Sequence, residues 1–423
     1  MSDKLDKIKI GITQGDVNGV GYEVILKAFS DSGMLDLCTP VIYGSKKYSN
    51  EHKKNLKMEE FSFFVVNKAE DSRDDKVNLI ECCDDKVDLN IGEATLASGK
   101  AALQSLDIAV NDLMDGKIDA IVTAPINKKN IQSDNFDFPG HTEFLGRKDG
   151  DTKGLMFMIS EKLKVGVVTG HIPLKDVASA ISEESILKKL KVMSNSLKMD
   201  FSISKPKIAV LGLNPHAGDN GLLGAEEQEV INGAVKKAGD NGVFAHGPFP
   251  ADGFFGSAQY LKYDGVLAMY HDQGLIPFKA LSFGEGVNFT AGLSFVRTSP
   301  DHGTGYDIAG EDKADAASMR QAVYAAIDIC KNRRMNKGLL ANALKPGKVK
   351  EPFKKGRPSS DTRKPRREPR KDTPRPTSRP KPKPAVEQEA KVDLDPEVKS
   401  TEIVKEILKE GPKDITNEKP DEE

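Results

Sequence analysis

The 423-residue sequence contains no apolar run of the roughly 18 residues that a membrane-spanning helix requires, so we expect no such helix. The polar segment Met1–Lys7 lacks the apolar core of a signal peptide. Cysteine is scarce, and the four that occur match neither a disulfide framework nor a zinc knuckle; they are Cys38, Cys82, Cys83 and Cys330. These absences predict a cytoplasmic protein with reduced thiols.

Two common phosphate-binding fingerprints are also missing. The first Gly-rich segment, Thr13–Glu23, lacks the G-x-G-x-x-G spacing of dinucleotide-binding loops and the Lys-Ser/Thr pair of a P-loop. Because it follows a predicted strand, it can contact a ligand or simply connect that strand to a helix. The segment alone favours neither interpretation.

Charge is distributed unevenly along the chain. The net charge is -2, but residues 345–384 carry sixteen Lys and Arg against four Asp and Glu, with ten prolines among them. Residues 385–423 carry six basic against thirteen acidic residues. With few large apolar side chains to bury, 345–423 is expected to be a disordered tail, in which 397–408 could form a short transient helix.

The basic part of this tail has two interpretations. Disordered basic segments can bind the phosphate backbone of nucleic acids through counterion release. The alternative, which we favour, is a solvated tail that makes at most weak contacts with nucleic acid, and whose basic and acidic halves can attract each other. No membrane partner is expected.

Strand-like and helix-like segments alternate before residue 345. Short apolar runs predict strands at Lys9–Thr13, Pro40–Gly44 and Asp119–Pro125. Apolar residues at helical spacing predict helices over Ala94–Met114 and Glu183–Leu197. This alternation is typical of an α/β fold with a largely parallel sheet.

Three of the seven histidines share one kind of position. His171, His216 and His271 each follow a short apolar run that predicts a buried parallel strand. Ligands of open α/β sheets bind at the carboxyl ends of the strands, where these side chains would lie. Three neutral imidazoles are a common contribution to a catalytic divalent metal. The alternative is three unrelated loop histidines.

Further polar residues suit an anionic ligand. Lys279, Asn288 and Arg297 offer cationic and amide groups between apolar stretches, although such residues are ordinarily solvated. A Pro-Gly turn delivers His141 and Thr142, and Thr142 can contact a substrate or cap the following helix. In the loop His302–Gly310, small residues would let a ligand approach the backbone closely.

Taken in order, these motifs resemble the 4-hydroxythreonine-4-phosphate dehydrogenases, the NAD-dependent enzyme family of pyridoxal phosphate biosynthesis. The matching segments span almost all of residues 7–330, and the tail has no counterpart in the family pattern. They are Gly15-Asp16 with Glu23, Thr123–Lys128, Pro139–Glu143, Thr169–Leu174, Leu213–Gly218, Gly247–Asp252, Tyr270–Gly274 and His302–Gly310.

The resemblance implies the α/β fold of the isocitrate and isopropylmalate dehydrogenases, with two domains, an active cleft between them, and a homodimer. One domain would comprise residues 1–137 together with 285–344, and the other residues 138–284. The tail would follow from residue 345 to residue 423.

The resemblance also assigns roles to residues. One divalent metal per subunit (Zn, Mg, Mn or Co) would be bound by His171, His216 and His271, in a site to which a dimer partner contributes. The substrate-binding positions are His141, Thr142, Lys279, Asn288 and Arg297. The cofactor, NAD or NADP, would contact His302, Gly303, Asp307 and Ala309.

The implied reaction is the oxidation of 4-phosphohydroxy-L-threonine to 2-amino-3-oxo-4-phosphooxybutanoate. This product loses CO2 to give 3-amino-2-oxopropyl phosphate. Asp252, Asp272 or a water held by them would accept the proton of the hydroxyl group.

Three alternatives remain. The substrate can be another four-carbon phosphorylated acid, such as D-threonate or D-erythronate 4-phosphate. The histidines can instead serve a metal-dependent hydrolase, against which the His302–Gly310 loop argues. The tail can make this a nucleic-acid-binding or scaffolding protein with a vestigial enzyme.

Two departures from the family pattern bear on the cofactor. Val17, Asn18 and Tyr22 replace Pro, Ala and Pro of the family's first loop, and Gly305-Tyr306 replaces a pair such as Ala-Leu. Neither change removes a predicted ligand. They leave the choice between NAD and NADP open.

Overall fold

The computed structural model describes residues 7–84, 88–133, 136–138, 140–282 and 284–342, all within one compact unit, Met1–Gly347. The predicted tail, with its helix at 397–408, lies outside these residues. Among the residues that are described, no helix is long and apolar enough to cross a membrane.

Strands and helices alternate along the described residues, as the sequence predicts. The strands are β1 (Ile8–Thr13), β2 (Cys38–Gly44), β3 (Phe64–Val66), β4 (Asn78–Glu81), β5 (Ala120–Thr123), β6 (Leu155–Ile159), β7 (Lys164–Val167), β8 (Lys207–Leu211), β9 (Phe244–Phe249), β10 (Gly265–Ala268), β11 (Val287–Ala291) and β12 (Val296–Pro300). The α-helices are α1 (Gly21–Phe29), α2 (Met34–Leu37), α3 (Lys46–Asn55), α4 (Leu96–Met114), α5 (His141–Lys148), α6 (Val177–Ala180), α7 (Glu183–Met199), α8 (Asn232–Asp240), α9 (Ala251–Gly256), α10 (His271–Leu281) and α11 (Ala317–Ala341).

Shorter helical turns complete the described chain. They are the 3-10 turns Ala69–Asp71, Leu174–Asp176, Pro215–Gly221 and Gln259–Lys262, and one π-helical turn, Glu227–Ile231. Two of these turns, Pro215–Gly221 and Glu227–Ile231, belong to the segment that follows β8. That segment carries one of the three strand-end histidines.

The two long helices predicted from apolar spacing are confirmed, and both begin at a side-chain cap. At the start of α4, the side-chain oxygen of Thr95 accepts a hydrogen bond from the backbone N–H of Ser98, and the hydroxyl oxygen of Ser98 accepts one from the backbone N–H of Thr95. Ser182 and Ser185 form the same reciprocal pair at α7. Each pair satisfies two N–H groups that would otherwise lack a partner at the helix start.

The strands of the described residues form one twelve-stranded sheet. Its order is β3-β4-β2-β1-β5-β12-β11-β6-β7-β10-β8-β9. The pairs from β3 to β12 are parallel, as are those from β7 to β9, whereas β11 and β6 are antiparallel to each other and to their outer neighbours. The predicted α/β class is confirmed.

The β11–β6 pair also separates two groups of strands. On one side lie the strands of residues 1–137 and 285–344, and on the other those of residues 138–284. The division into two domains at these boundaries stays a prediction.

The histidine-bearing strands are neighbours in this sheet. β10 lies between β7 and β8 and is parallel to both. β10 is fully buried, and β7 and β8 are buried except for their first residues, Lys164 and Lys207, because nearly all the other side chains are aliphatic. Parallel neighbours end at the same edge of a sheet, so the segments that carry His171, His216 and His271 leave from one edge.

Candidate active site

Two of the three strand-end histidines face each other. The ring centres of His171 and His271 lie 5.5 Å apart at an interplanar angle of 45°. Two imidazoles that share one Zn2+ at Zn–N distances of about 2.1 Å have ring centres roughly 5 Å apart. Partial burial, with the charges of Lys128 and His271, lowers the pKa of His171 and favours the neutral, metal-binding form. This pair therefore fits a divalent metal.

The imidazole of His271 is oriented by its neighbour. Its Nδ1 donates a 2.7 Å hydrogen bond to Oδ1 of Asp272 when the proton is on Nδ1. That tautomer leaves the Nε2 lone pair available, an arrangement typical of metal-binding histidines, whose other nitrogen is held by a carboxylate. Asp272, predicted as a proton acceptor, thus has one oxygen engaged by His271.

His216 does not join this pair in a metal-holding group of three within the described residues. It begins a run of residues with left-handed backbone angles, from His216 to Asn220, and its side chain is exposed. It lines a cavity of about 630 Å³ together with Asp252, Tyr270 and Asp272. Within the described part of the chain, no three His, Cys, Asp or Glu side chains are grouped so that they could hold a metal. The predicted triad is not assembled within one chain.

Arg297 is a buried cation on β12, with 3% of its surface exposed. Its guanidinium donates to the hydroxyl oxygen of Thr123 at 2.8 and 3.1 Å and to that of Thr290 at 3.2 Å. Burial lowers the pKa of Arg297 to about 10, although the charge of Glu143 acts in the other direction. Since a buried charge is costly without a counter-charge, this group is suited to an anion.

Two more predicted substrate residues have buried polar atoms without partners. Nε2 of His141 and Oδ1 of Asn288 make no hydrogen bond within the described residues. Asn288 and Thr290 lie on the same face of β11, since alternate residues of a strand share a face, and Thr290 contacts Arg297. Burial, with the charges of Arg297 and Lys128, holds the pKa of His141 well below its ordinary value. Asn288 and His141 are thus grouped around Arg297.

Thr142 does not cap a helix. Helix α5 begins at His141, and its capping position is Gly140, so Thr142 lies inside the first turn. The capping interpretation of Thr142 is therefore wrong, whereas its predicted contact with substrate stays a prediction.

Lys279 lies in the last turn of α10. Its ammonium group is 3.2 Å from a carboxylate oxygen of Asp301. Both residues line a cavity of about 440 Å³ that also contains His302 and Gly303. The remaining wall is largely apolar and includes Val20, Val24, Ile308 and Ala314. Such a wall suits a flat aromatic ring, and the predicted contact of Lys279 with the substrate stays a prediction.

Of the four predicted cofactor residues, His302 and Gly303 line this cavity. Asp307 and Ala309 belong to the same loop and are not among the described residues of the cavity wall. Nε2 of His302 is buried and has no hydrogen-bond partner within the described residues. A polar group of a ligand can therefore form a hydrogen bond with this nitrogen.

The sequence did not indicate how the first loop is held. Oδ2 of Asp16 accepts hydrogen bonds from Ser98, Asn130 and Tyr306, at 3.0, 2.7 and 2.8 Å. Tyr306 belongs to the His302–Gly310 loop, so this carboxylate ties that loop to the first loop. The feature of the sequence that could have indicated this contact is Tyr306 itself, because it places a phenol where the family pattern has an aliphatic residue.

The other departures have structural roles. The hydroxyl group of Tyr22 lies within 2.9 Å of Oε1 of Gln14 and of the backbone of Ser45. The amide nitrogen of Asn18 donates to the backbone oxygen of Glu93 at 2.9 Å. Tyr22 stands where the family pattern has Pro and Asn18 where it has Ala, and hydrogen bonds hold both side chains in place. The loop connects β1 to α1, and its Val20 lines the cavity that also contains His302 and Gly303.

Comparison with known proteins decides the family. The family model described as "Pyridoxal phosphate biosynthetic protein PdxA" matches residues 36–326. The chain belongs to this family. The resemblance inferred from the motifs is therefore confirmed, and membership makes the protein an oxidoreductase.

Relatives and solved structures in this family bear dehydrogenase names. A 4-hydroxythreonine-4-phosphate dehydrogenase of Bacteroides thetaiotaomicron is 52% identical over 341 residues, 80% of this chain and 93% of that protein. A "Putative D-threonate 4-phosphate dehydrogenase" of Oceanobacillus iheyensis is 40% identical over 76% of this chain and 97% of that protein. The crystal structure of a 4-hydroxythreonine-4-phosphate dehydrogenase from Klebsiella pneumoniae has a TM-score of 0.69 and 34% identity, covering 78% of this chain and 99% of that one.

Proposed function

We propose that this protein oxidises 4-phosphohydroxy-L-threonine to 2-amino-3-oxo-4-phosphooxybutanoate in pyridoxal 5'-phosphate biosynthesis, with NAD or NADP as oxidant. The product then loses CO2 to give 3-amino-2-oxopropyl phosphate. The single observation that carries this proposal is the buried guanidinium of Arg297, bonded to two threonine hydroxyl groups and close to the unpartnered His141. Such a site is suited to an anionic substrate.

The anion-binding residues would orient the substrate. Arg297 can form charge-assisted hydrogen bonds to a phosphate or carboxylate in a buried setting, where such bonds are strong. His141, kept neutral by burial and by the nearby cations, can donate one hydrogen bond from Nε2. Asn288 can accept an N–H or O–H donor at its buried Oδ1. These contacts fix the carbon that reacts relative to the histidine pair.

His171 and His271 would hold a divalent metal, with His216 as third ligand. When bound, the metal would act as a Lewis acid that lowers the pKa of the substrate hydroxyl group. Zinc, magnesium, manganese and cobalt are all candidates, and an all-imidazole donor set favours zinc or cobalt over magnesium. The carboxylate of Asp272 keeps the His271 ring in position.

We further propose that the site is completed across a homodimer. Within the described residues of one chain, neither His216 nor Asp252 completes a metal-holding group of three with His171 and His271, as expected when the partner subunit's His216 and the partner subunit's Asp252 serve this site. Asp252 is the better candidate for the proton acceptor, because Asp272 already accepts a hydrogen bond from His271.

The cavity lined by His302 and Gly303 would bind the adenosine half of the cofactor. Its apolar wall, with Val20, Val24 and Ile308, suits a purine ring. NAD or NADP bound there would supply the oxidising chemistry, as acceptor of a hydride from the substrate carbon. The Tyr306–Asp16 hydrogen bond would keep the loop over this cavity in place.

D-threonate 4-phosphate is the second candidate substrate, since the O. iheyensis relative carries that name at 40% identity. It differs from 4-phosphohydroxy-L-threonine in bearing a hydroxyl group in place of the amino group. No comparable observation favours the hydrolase.

Formation of NADH from the two substrates tests the proposal. We expect kcat/KM to be higher for 4-phosphohydroxy-L-threonine, and Arg297→Met to reduce turnover of both. A preference for D-threonate 4-phosphate would establish the alternative. No oxidation of either substrate with NAD or NADP would contradict the proposal.

A further inference from the structure

The side chain of Gln273, in the first turn of α10, joins the ends of two strands. Its Oε1 accepts a 2.7 Å hydrogen bond from the backbone N–H of Met269, just past β10. Its Nε2 donates a 2.6 Å hydrogen bond to the backbone oxygen of Gly212, just past β8. A single amide group therefore makes both bonds.

This bridge stands where the sheet ladder between β8 and β10 stops. The last pair in register is Val210 with Leu267. Gly212 and Met269 each come two residues later, so they are level with each other in the same register. The amide of Gln273 occupies the place of a strand between them and continues the hydrogen bonding after the two strands separate.

Both segments tied by Gln273 carry strand-end histidines. His271 follows Met269 by two residues, and His216 follows Gly212 by four. A change in the distance between the two strand ends would therefore move one histidine relative to the other. Neither of these two hydrogen bonds of Gln273 is made to a histidine.

Glu227 holds the second of these segments from the other side. It is 2% exposed, and its Oε1 accepts hydrogen bonds from the backbone N–H groups of Leu213 and Asn214, at 2.7 and 2.8 Å. Its Oε2 accepts a 3.0 Å hydrogen bond from the side chain of Asn214. A side chain at Gly218 would come within 2.6 Å of that oxygen, so the left-handed turn from His216 is packed directly onto this carboxylate.

We infer that Gln273, supported by Glu227, is a positioning residue for the metal-binding histidines, an inference that rests on the proposed function. It fixes where the segment of His216 leaves the sheet relative to His271. In a homodimer, this also fixes how far His216 reaches toward the site that it completes. Residues that orient metal ligands without touching the metal commonly affect affinity by about 10- to 100-fold when replaced.

Metal affinity of the full-length protein, measured by competition between Zn2+ and a chelator, tests this inference. Gln273→Met removes both hydrogen bonds at similar volume, and Gln273→Glu keeps an acceptor for Met269 but loses the donor to Gly212. We expect Zn2+ affinity to fall by about 10- to 100-fold in both variants. Protection of the Met269 amide against hydrogen exchange, measured without metal, should fall in Gln273→Met and persist in Gln273→Glu.

Gln104→Met is the matched control. Gln104 accepts a 3.2 Å hydrogen bond from the backbone N–H of Asp84, near β4 at the opposite end of the sheet. It should leave Zn2+ affinity unchanged. Thermal unfolding of each variant separates a folding defect from a positioning effect, and Gln273→Glu serves if Gln273→Met does not fold.

The outcomes separate this inference from the proposed function. If the wild-type protein binds no divalent cation, the metal part of the proposed function fails. If the wild-type protein binds Zn2+ and both Gln273 variants bind it within twofold, with Tm unchanged, the inference is overturned and the metal site stands. Equal weakening in Gln104→Met would also overturn it.

Discussion

The hydroxyl group of Tyr306 donates a 2.8 Å hydrogen bond to Oδ2 of Asp16. Asp16 is 1% exposed and anchored by Ser98 and Asn130, whereas Tyr306 belongs to the loop that borders the proposed cofactor cavity. Burial and the Asp16 carboxylate raise the pKa of Tyr306, so it remains a donor across the neutral range. This side-chain hydrogen bond links the first loop to the loop of Tyr306, beside the 2.9 Å backbone hydrogen bond that the N–H of Val20 donates to the oxygen of Thr304.

Tyr306→Phe should weaken cofactor binding. A hydrogen bond to a charged group contributes about 1.5–3 kcal/mol, part of which orders the loop, so we expect the KM for NAD to rise roughly 5- to 30-fold. The KM for the phosphorylated substrate should change little. Tyr324→Phe, on α11, is the control and should leave both values unchanged, and equal effects of the two substitutions would contradict the role of Tyr306.

Arg297→Met should lower the activity of the protein without lowering its stability. Loss of a buried charge-assisted contact should reduce kcat/KM by roughly 100-fold or more, since truncating such a partner costs about 2–5 kcal/mol. The Tm should stay level or rise, because the buried guanidinium has no described carboxylate bonded to it. Arg147→Met, which breaks an exposed ion pair with Asp151, should affect neither quantity. A large fall in Tm for Arg297→Met would show that the guanidinium serves the fold.

The depressed pKa of His141 predicts a pH dependence of stability. The unfolded chain takes up a proton near the ordinary histidine value of 6.5, whereas burial and the charges of Arg297 and Lys128 keep the folded side chain neutral well below it. The contribution of neutral His141 to the free energy of unfolding is therefore fully present above pH 6.5. It is lost as the pH falls from 6.5 toward the pKa of His141 in the folded protein. Denaturant unfolding of wild type and His141→Gln across this range should show a shallower decline in the variant. Parallel declines would exclude His141 as the cause.

The charges that line the proposed cofactor cavity predict a preference for NAD over NADP. Its described wall contains two acidic residues, Asp301 and Asp315, and one basic residue, Lys279. Lys279 is already paired with Asp301. A 2'-phosphate would meet net negative charge. Asp315→Asn should raise the ratio of kcat/KM for NADP to that for NAD by roughly 10-fold, equivalent to about 1.4 kcal/mol. Asp328→Asn, exposed on α11, should leave the ratio unchanged, and a wild-type preference for NADP would contradict the cavity assignment.

Mixed dimers test whether His216 serves the partner's site. His171→Ala and His216→Ala homodimers should each be inactive. After unfolding and refolding together, half of the dimers would be mixed, and each would contain one intact and one doubly altered site, restoring about a quarter of wild-type activity. If the mixture stays inactive while wild type survives the same treatment, all three histidines serve a site in one chain.

Strands and helices that depend on residues close together in the chain could be predicted from the sequence. Runs of Val, Ile and Leu identified β1, β2 and β5, and apolar spacing identified α4 and α7, because these patterns depend on residues close in the chain. The shared edge for His171, His216 and His271 followed from the rule that parallel strands end together.

What the sequence could not predict depends on distant contacts. The Arg297 site needs Thr123, which is 174 residues away, and the bridge of Gln273 depends on the level at which β8 and β10 stop pairing. Lys279 has the charge expected for a phosphate ligand, but its pairing with Asp301 is a tertiary feature. The left-handed turn after His216 is fixed by Glu227, which no local pattern identifies.

The most direct test of the proposed function is NADH formation from 4-phosphohydroxy-L-threonine by the wild-type protein before and after removal of divalent cations with a chelator. Turnover should be lost on chelation and restored when Zn2+ or Co2+ is added back, with His271→Ala inactive in every condition. An undiminished rate after complete cation removal, or full activity of His271→Ala, would contradict it.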